Sequence, residues 1–78
     1  MSLTFEKDIF LEPATDEVVV WATDDAGRFR LTVSRKYRDD AYRTQAHKAA
    51  TQIVRDNMAD FIRLAEAARA RGESELAL

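Results

Sequence analysis

Side chains that could carry out acid–base, nucleophilic or metal chemistry are few in this sequence. His47 is the single histidine and the chain has no cysteine, so neither a thiolate nucleophile nor a zinc–thiolate site can form. General acid–base catalysis by His47 would need a nucleophile or carboxylate within hydrogen-bond reach. No spacing in the sequence promises such a neighbour, and we interpret His47 as a half-exposed structural residue.

The paired carboxylates are the second place where a site could lie. Asp24–Asp25 and Asp39–Asp40 lack the spacing of a calcium-binding loop, and we assign them to a turn and to a helix surface. The chain has only two glycines, too few for a loop that wraps a phosphate. These patterns predict a protein that is not an enzyme and has no catalytic residue, metal or cofactor.

A hairpin is the clearest structural element of the sequence. Residues 17–33, EVVVWATDDAGRFRLTV, contain a β-branched run, the loop DDAG and an alternating run, which is typical of two antiparallel strands, here 17–23 and 28–33. A register with Thr23 opposite Arg28 places six apolar side chains on one face, the predicted core face. They are Val18, Val20, Ala22, Phe29, Leu31 and Val33.

An earlier strand is predicted within residues 3–12, before the turn PATD. Pairing Leu11 with Val18 puts Leu11 on the core face, and Ile9 and Phe5 then share that face. The opposite face of the sheet becomes a candidate binding surface of aromatic, apolar and cationic side chains: Phe10, Val19, Trp21, Arg28 and Arg30.

The second half of the chain is predicted to be helical. Ser34 is the expected N-cap of a segment that covers 35–71 and stops at Gly72, and the sequence is compatible with one helix or two. Residues 73–78 should fray. The predicted fold class is α+β: a single domain, 1–78, with a three-stranded antiparallel β-meander, a short helical turn and one long C-terminal α-helix packed on one sheet face.

The long helix has more apolar surface than one sheet face can cover. Residues 43–71 would span roughly 43 Å, whereas a strand of six or seven residues covers about 20–23 Å, so the helix should overhang the sheet. We predict that its C-terminal half contacts another molecule through Val54, Asn57, Met58, Phe61, Ile62 and Ala65. Two roles for Asn57 stand open: fixing the register of a helical seam, or bonding to a sheet edge or a buried water.

A second copy of the chain is the simplest partner, because most soluble oligomers are two-fold homodimers. A different protein ranks second and nucleic acid third. The net charge of −2 and the sequence pI of about 5.3 disfavour nucleic acid, and Arg30 opposite Trp21 is more simply a cation–π pair. The helices nevertheless offer a basic face, made of Arg35, Lys36, Arg38, Arg43, Lys48, Arg55 and Arg63, and the outer sheet face offers rings for base stacking.

Charge is divided along the chain. Residues 1–34 carry three Lys or Arg and seven acids, whereas residues 35–71 carry nine Lys or Arg and five acids. We interpret the division first as a basic helical layer on an acidic sheet layer, although it is also compatible with an acidic partner or nucleic acid.

The sequence also bears on location. It contains no apolar run near the roughly 20 residues of a transmembrane helix. The segment MSLTFEKDIF lacks the basic start and apolar stretch of a signal peptide. We therefore expect a cytoplasmic protein without a membrane partner.

The stretch VVVWATDDAGRFRLTVSRKYRDD resembles a known family. A strand, a short turn with Gly27, a strand that ends in a serine and a following helix are similar to the small bacterial family catalogued as domain of unknown function 1488. The family pattern includes a cysteine in the third strand, from which this chain departs at Leu31 or Thr32. The resemblance implies a compact α+β fold and a bacterial cytoplasmic setting, but no activity and no site residue.

Overall fold

A four-stranded sheet and three α-helices form the fold in the computed structural model, which describes residues 2–78. Met1, part of the predicted domain 1–78, lies outside the described residues. The elements are β1 (Thr4–Glu12), β2 (Glu17–Asp24), β3 (Gly27–Val33), α1 (Arg35–Ala41), a 3₁₀ turn (Arg43–Gln45), α2 (Ala50–Asp56), α3 (Met58–Ala70) and β4 (Glu75–Ala77). The strand order is β1-β2-β3-β4. The fold is therefore α+β, as predicted.

The hairpin of β2 and β3 has the predicted register. Thr23 lies opposite Arg28, and all six predicted core-face side chains are fully buried. Gly27 closes the loop at a φ of 119°, in the left-handed region that favours glycine. The Asp24 carboxylate accepts a hydrogen bond of 2.9 Å from the backbone N–H of Ala26, which stabilises the turn.

β1 pairs with β2 as predicted at Leu11 and Val18, but its register shifts along the strand. Between the pairs Phe5–Ala22 and Ile9–Val20, β1 advances four residues while β2 advances two. The extra residues form a bulge in an edge strand, a feature that discourages edge-to-edge aggregation. Leu11 remains 44% exposed, so the core does not reach this end of β1.

The prediction of one long C-terminal helix is wrong: residues 35–71, compatible in sequence with one helix or two, form three α-helices and a 3₁₀ turn. Ala49, with extended backbone (φ −61°, ψ 148°), precedes α2, and Asn57 (φ −114°, ψ 23°) separates α2 from α3. The Asn57 side-chain amide donates to the Ile53 carbonyl at 2.7 Å, a local bond that competes with regular helix geometry. α3 has 13 residues and spans about 20 Å, a length that matches the strands and removes the predicted overhang.

The prediction of a frayed tail is also wrong, because the last residues form β4. Helix α3 ends in a Schellman motif in which Gly72 N–H donates to the Arg69 carbonyl (2.9 Å) and Glu73 N–H to the Ala68 carbonyl (3.2 Å). The turn sends the chain back along β3, and β4 pairs with it in parallel. The sheet is therefore a mixed four-stranded sheet rather than a three-stranded meander.

Substitution of Leu76 tests whether β4 belongs to the folded core. Leu76 is half-buried against that core, so Leu76→Ala should lower the free energy of unfolding by about 1–2 kcal/mol, less than a fully buried leucine. Urea denaturation followed by far-UV circular dichroism would measure the loss. The exposed neighbour provides the control, since Glu75→Ala should change stability by less than about 0.5 kcal/mol. If Leu76→Ala and Glu75→Ala both left the free energy of unfolding nearly unchanged, the ordered β4 would be contradicted.

An ion pair joins the hairpin loop to the end of α3. The Arg69 guanidinium donates to both Asp24 carboxylate oxygens, at 2.8 and 2.7 Å, and to the Gly27 carbonyl at 3.0 Å. It also donates to the Glu73 carbonyl at 3.1 Å. The side chains of Arg69 and Asp24 are only 14% and 10% exposed. The Arg69 hydrogen bonds lower the pKa of Asp24 from 3.8 to about 2 and raise the pKa of Arg69.

The Asp24–Arg69 pair should make the free energy of unfolding depend on pH in the acidic range. Because folding lowers the pKa of Asp24 to about 2, the pair stabilises the fold above the ordinary carboxylate pKa and loses this contribution as the pH falls toward 2. Asp24→Asn should therefore be less stable than wild type at pH 6, and the difference should shrink between pH 4 and 2. Denaturation midpoints of the variant and of wild type at each pH would measure this difference in stability.

Asp25→Asn is the matched control for this prediction, since it removes the adjacent exposed carboxylate while Arg69 still binds Asp24. It should retain the wild-type response to acid. A difference between Asp24→Asn and wild type that is independent of pH would contradict the role of the ionised pair.

Candidate interaction surface

The sheet face opposite the helices, here called the outer face, is open. The core cluster joins the other sheet face to α2 and α3, and the outer face carries the predicted surface residues on β1, β2 and β3. Phe10 is 52% exposed, Val19 and Trp21 are half-buried, and Arg28 and Arg30 are exposed. The structure thus places all five on one continuous surface.

A row of three apolar residues and one buried threonine, here called the apolar row, crosses the outer face through all four strands. Phe10 pairs with Val19, Val19 with Thr32, and Thr32 with Ala77. Thr32 is only 8% exposed between its neighbours. Sequence reasoning missed Ala77, because its position on this face depends on β4. No local pattern in the sequence indicates that strand.

Trp21 lies beside the apolar row and is covered by arginine. The Arg28 guanidinium carbon is 4.0 Å from the ring centroid, and that of Arg30 is 5.9 Å away. Arg30 is the direct cross-strand partner of Trp21, as predicted, but Arg28 makes the closer contact. Arg28 also reaches across the ring to the Glu6 carboxylate at 3.7 Å. The indole therefore lies under a cation that β1 and β3 position together.

Acidic residues occupy one end of the outer face. Glu12 and Glu17 are directly opposite each other in the register, a like-charge pairing that destabilises a sheet. Each carboxylate accepts a bond from the adjoining turn, from Ala14 N–H at 3.2 Å and from the Thr15 hydroxyl at 3.1 Å. These bonds do not neutralise the negative charge. Glu12 and Glu17 therefore keep their negative charge at this end of the outer face, here called the acidic end.

The opposite end of the outer face has mixed charge. Arg28 and Arg30 are balanced by Glu6 on β1 and by Glu75, the register partner of Arg30 on β4. The outer face thus runs from an acidic end, across the apolar row and Trp21, to an end with no net charge.

The predicted helix interface lies largely inside the molecule. Val54, Phe61 and Ala65 are fully buried in the core of the same chain, so the prediction that they contact another molecule is wrong. Met58 is half-buried against the same core, and Ile62 is half-buried. The helix breaks at Ala49 and Asn57 let apolar residues of both α2 and α3 pack against the sheet.

Asn57 does not bond to a sheet edge, which is part of one of its two predicted roles. Its amide group donates to the Gln45 side chain at 2.9 Å as well as to the Ile53 carbonyl. These bonds tie the 3₁₀ turn to the junction of α2 and α3. The residue therefore fixes a bend within the helical layer.

The basic helix face is mostly neutralised by the chain itself. Five of its seven members have a carboxylate oxygen within 4 Å, in the pairs Arg35–Asp39, Lys36–Asp40, Arg38–Asp16, Lys48–Asp56 and Arg63–Asp60. Hydrogen bonds from Lys48 and Gln52 lower the pKa of Asp56. The paired cations have less free charge to offer to phosphates than the sequence implied.

A polar groove of about 360 Å³ lies between α1 and the segment that leads into α2. Arg38, 4% exposed, lines this groove and is held by the Val33 carbonyl at 3.0 Å and by Asp16 at 3.1 Å. Arg35 and Asp39, which also line the groove, pair with each other. These charged side chains are therefore paired with each other within the groove.

Reactive groups do not converge elsewhere in the part of the chain that the structure describes. His47 is exposed, and residues 2–78 contain no group of three or more side chains that could hold a metal ion. The Tyr42 hydroxyl donates to Asp60 at 3.0 Å. Burial, followed by the contact with Asp60, raises the pKa of Tyr42 to about 12, so this phenol stays protonated and serves as a structural donor.

Comparison with known proteins finds no family model, curated protein or solved structure that matches the chain. The resemblance to domain of unknown function 1488 stays a prediction. None of the helices within residues 2–78 combines the length and apolar character needed to span a bilayer.

The Trp21 contact predicts unequal roles for the two arginines. Arg28→Ala should lower the free energy of unfolding by about 0.5–1 kcal/mol through loss of the cation–π contact, and Arg30→Ala should cost less because its guanidinium is farther from the ring. Urea denaturation of both variants would measure the difference. Glu6→Gln removes the ion pair but leaves Arg28 over the ring, and it should cost less than Arg28→Ala. Equal losses for the two arginines would contradict this assignment.

Proposed function

We propose that this chain is a small, non-catalytic protein-interaction module that binds its partner through the outer face. The observation that carries the proposal is the apolar row, which starts at the exposed Phe10 and continues through Val19 on a face that the helices of residues 2–78 do not cover. Contiguous apolar surface rimmed by polar residues is typical of protein contacts.

The composition of the outer face suits a protein partner. Aromatic and arginine side chains contribute most of the binding energy in many interfaces, and Phe10, Trp21 and Arg28 lie together here. Trp21 and Arg28 are already in contact, so binding needs less ordering of these two side chains. Charged residues surround the row and would form the polar rim of a contact.

Nucleic acid is less well supported than a protein partner. Phosphate binding relies on cations that are free to replace counterions, whereas five of the seven basic helix residues are paired with carboxylates. Arg28 is itself paired with Glu6, beside the ring that a base would have to stack on. The apolar row suits a protein surface better.

Site-specific photocrosslinking tests the proposal. Phe10 is replaced by benzoylphenylalanine, a photoreactive analogue of similar shape, in the cells from which the sequence derives. Because Phe10 lies on the outer face, irradiation should give one discrete protein adduct, whose second component mass spectrometry identifies. Val19→Lys introduced into the same chain should abolish the adduct, since a charge would interrupt the apolar row.

The matched control carries the photoreactive residue in place of Arg63, whose side chain is 73% exposed on α3. It should not form the same adduct. No protein adduct from position 10, the same adducts from both positions, or an adduct to RNA or DNA would contradict the proposed function.

A further inference from the structure

We propose that the occupant of the outer face is a second copy of this chain, packed face to face with its strands antiparallel to those of the first. This inference rests on the proposed function of the outer face. Three features of the outer face support a second copy: the distribution of its charge, the self-complementarity of the residues along β2, and its area.

Charge selects the antiparallel arrangement. A two-fold axis that lies along the strands keeps the acidic ends of both copies at the same level: an axis along β2 would place Glu17 on Glu17, and an axis between β1 and β2 would place Glu12 on Glu17. An axis in the interface and perpendicular to the strands reverses the strand direction instead. It brings the acidic end of each copy to the neutral end of the other, where Arg28 and Arg30 lie.

The register along β2 makes this arrangement self-complementary. With the axis crossing β2 at Val20, Val19 of each copy lies over Trp21 of the other. Glu17 of each copy then lies over Thr23, whose direct neighbour on β3 is Arg28. Each contact occurs twice, as a two-fold isologous interface requires. Glu17 of each copy thereby gains a nearby cation, whereas Glu12 lies over the Thr4 end of β1 in the other copy.

The size of the outer face indicates a weak dimer. Four strands at about 4.8 Å spacing and about 20–25 Å of strand length give a face of roughly 300–500 Å² per copy. The total area buried by two copies would be about 600–1,000 Å², at or below the lower limit of about 1,000 Å² for a specific interface. We therefore expect an equilibrium between monomer and dimer that changes with protein concentration.

A charge-reversal mixing experiment tests the inference. The solution mass of the purified chain is measured by sedimentation over roughly a hundredfold concentration range, and wild type should pass from monomer to dimer. Glu17→Arg and Arg28→Glu should each weaken self-association by about tenfold or more, because each puts like charges at both symmetric contacts. An equimolar mixture of the two variants should dimerise again, because each introduced charge meets its opposite and the unchanged Glu17 and Arg28 meet at the second contact.

Arg63→Glu, a charge reversal on α3 outside the outer face, is the matched control and should dimerise like wild type. Circular dichroism establishes that each variant is folded. Dimerisation in the mixture would show that each variant can still form the interface when it meets the complementary charge. Wild type that is monomeric throughout, or a mixture that stays monomeric, would overturn the inference. If position 10 then crosslinks to a different protein, the proposed function stands and only the second copy is excluded; if it crosslinks to none, both fail.

Discussion

The packing of the helices against a single face of the sheet is the constraint on which the rest of the structure depends. A chain of 78 residues has enough apolar side chains for one core, and domains of this size bury only about 60–65% of their unfolded surface. Phe29 and Leu31 of the sheet meet Val54 and Phe61 of the helices in that core. Because the apolar helix residues are used there, the outer face receives no cover.

The two layers are also joined by charge. Asp16, in the turn after β1, binds Arg38 of α1, and Asp24 binds Arg69 of α3. The Glu66 carboxylate accepts the backbone N–H of Leu3 at 3.3 Å. The first two contacts fit the interpretation of the divided charge as a basic helical layer on an acidic sheet layer. They leave fewer free cations than the composition of residues 35–71 suggests.

Sequence reasoning predicted those parts of the fold that depend on the order of apolar, polar and turn residues within one short segment. The loop DDAG and the alternating run after it set the hairpin register, which determines which side chains face the core and places Val19, Trp21, Arg28 and Arg30 on the outer face. The helix breaks could not be predicted in the same way, because neither is marked by glycine or proline. Asn57 interrupts the helix through bonds to Gln45 and Ile53, and Gln45 becomes its neighbour only in the folded chain.

Strand β4 was not predicted, because local sequence pattern does not mark it either. Glu75–Ala77 is short and contains no β-branched residue, so local propensity does not favour a strand. Its stability comes from bonds to β3, such as the one from the Leu78 N–H to the Thr32 carbonyl at 2.8 Å. Without β4, the apolar row could be traced only as far as Thr32. The sequence therefore indicated three strands of the candidate surface and not the fourth.

The parallel pairing of β4 with β3 has a consequence for folding during synthesis. The register joins Arg30 to Glu75, and the whole helical layer lies between them in the chain. During synthesis on the ribosome, the backbone groups on the free edge of β3 stay unpaired until Glu75–Ala77 has been made. Such an edge is a template for pairing with other chains, so the nascent hairpin is open to wrong pairing until β4 has emerged from the ribosome and docked on β3.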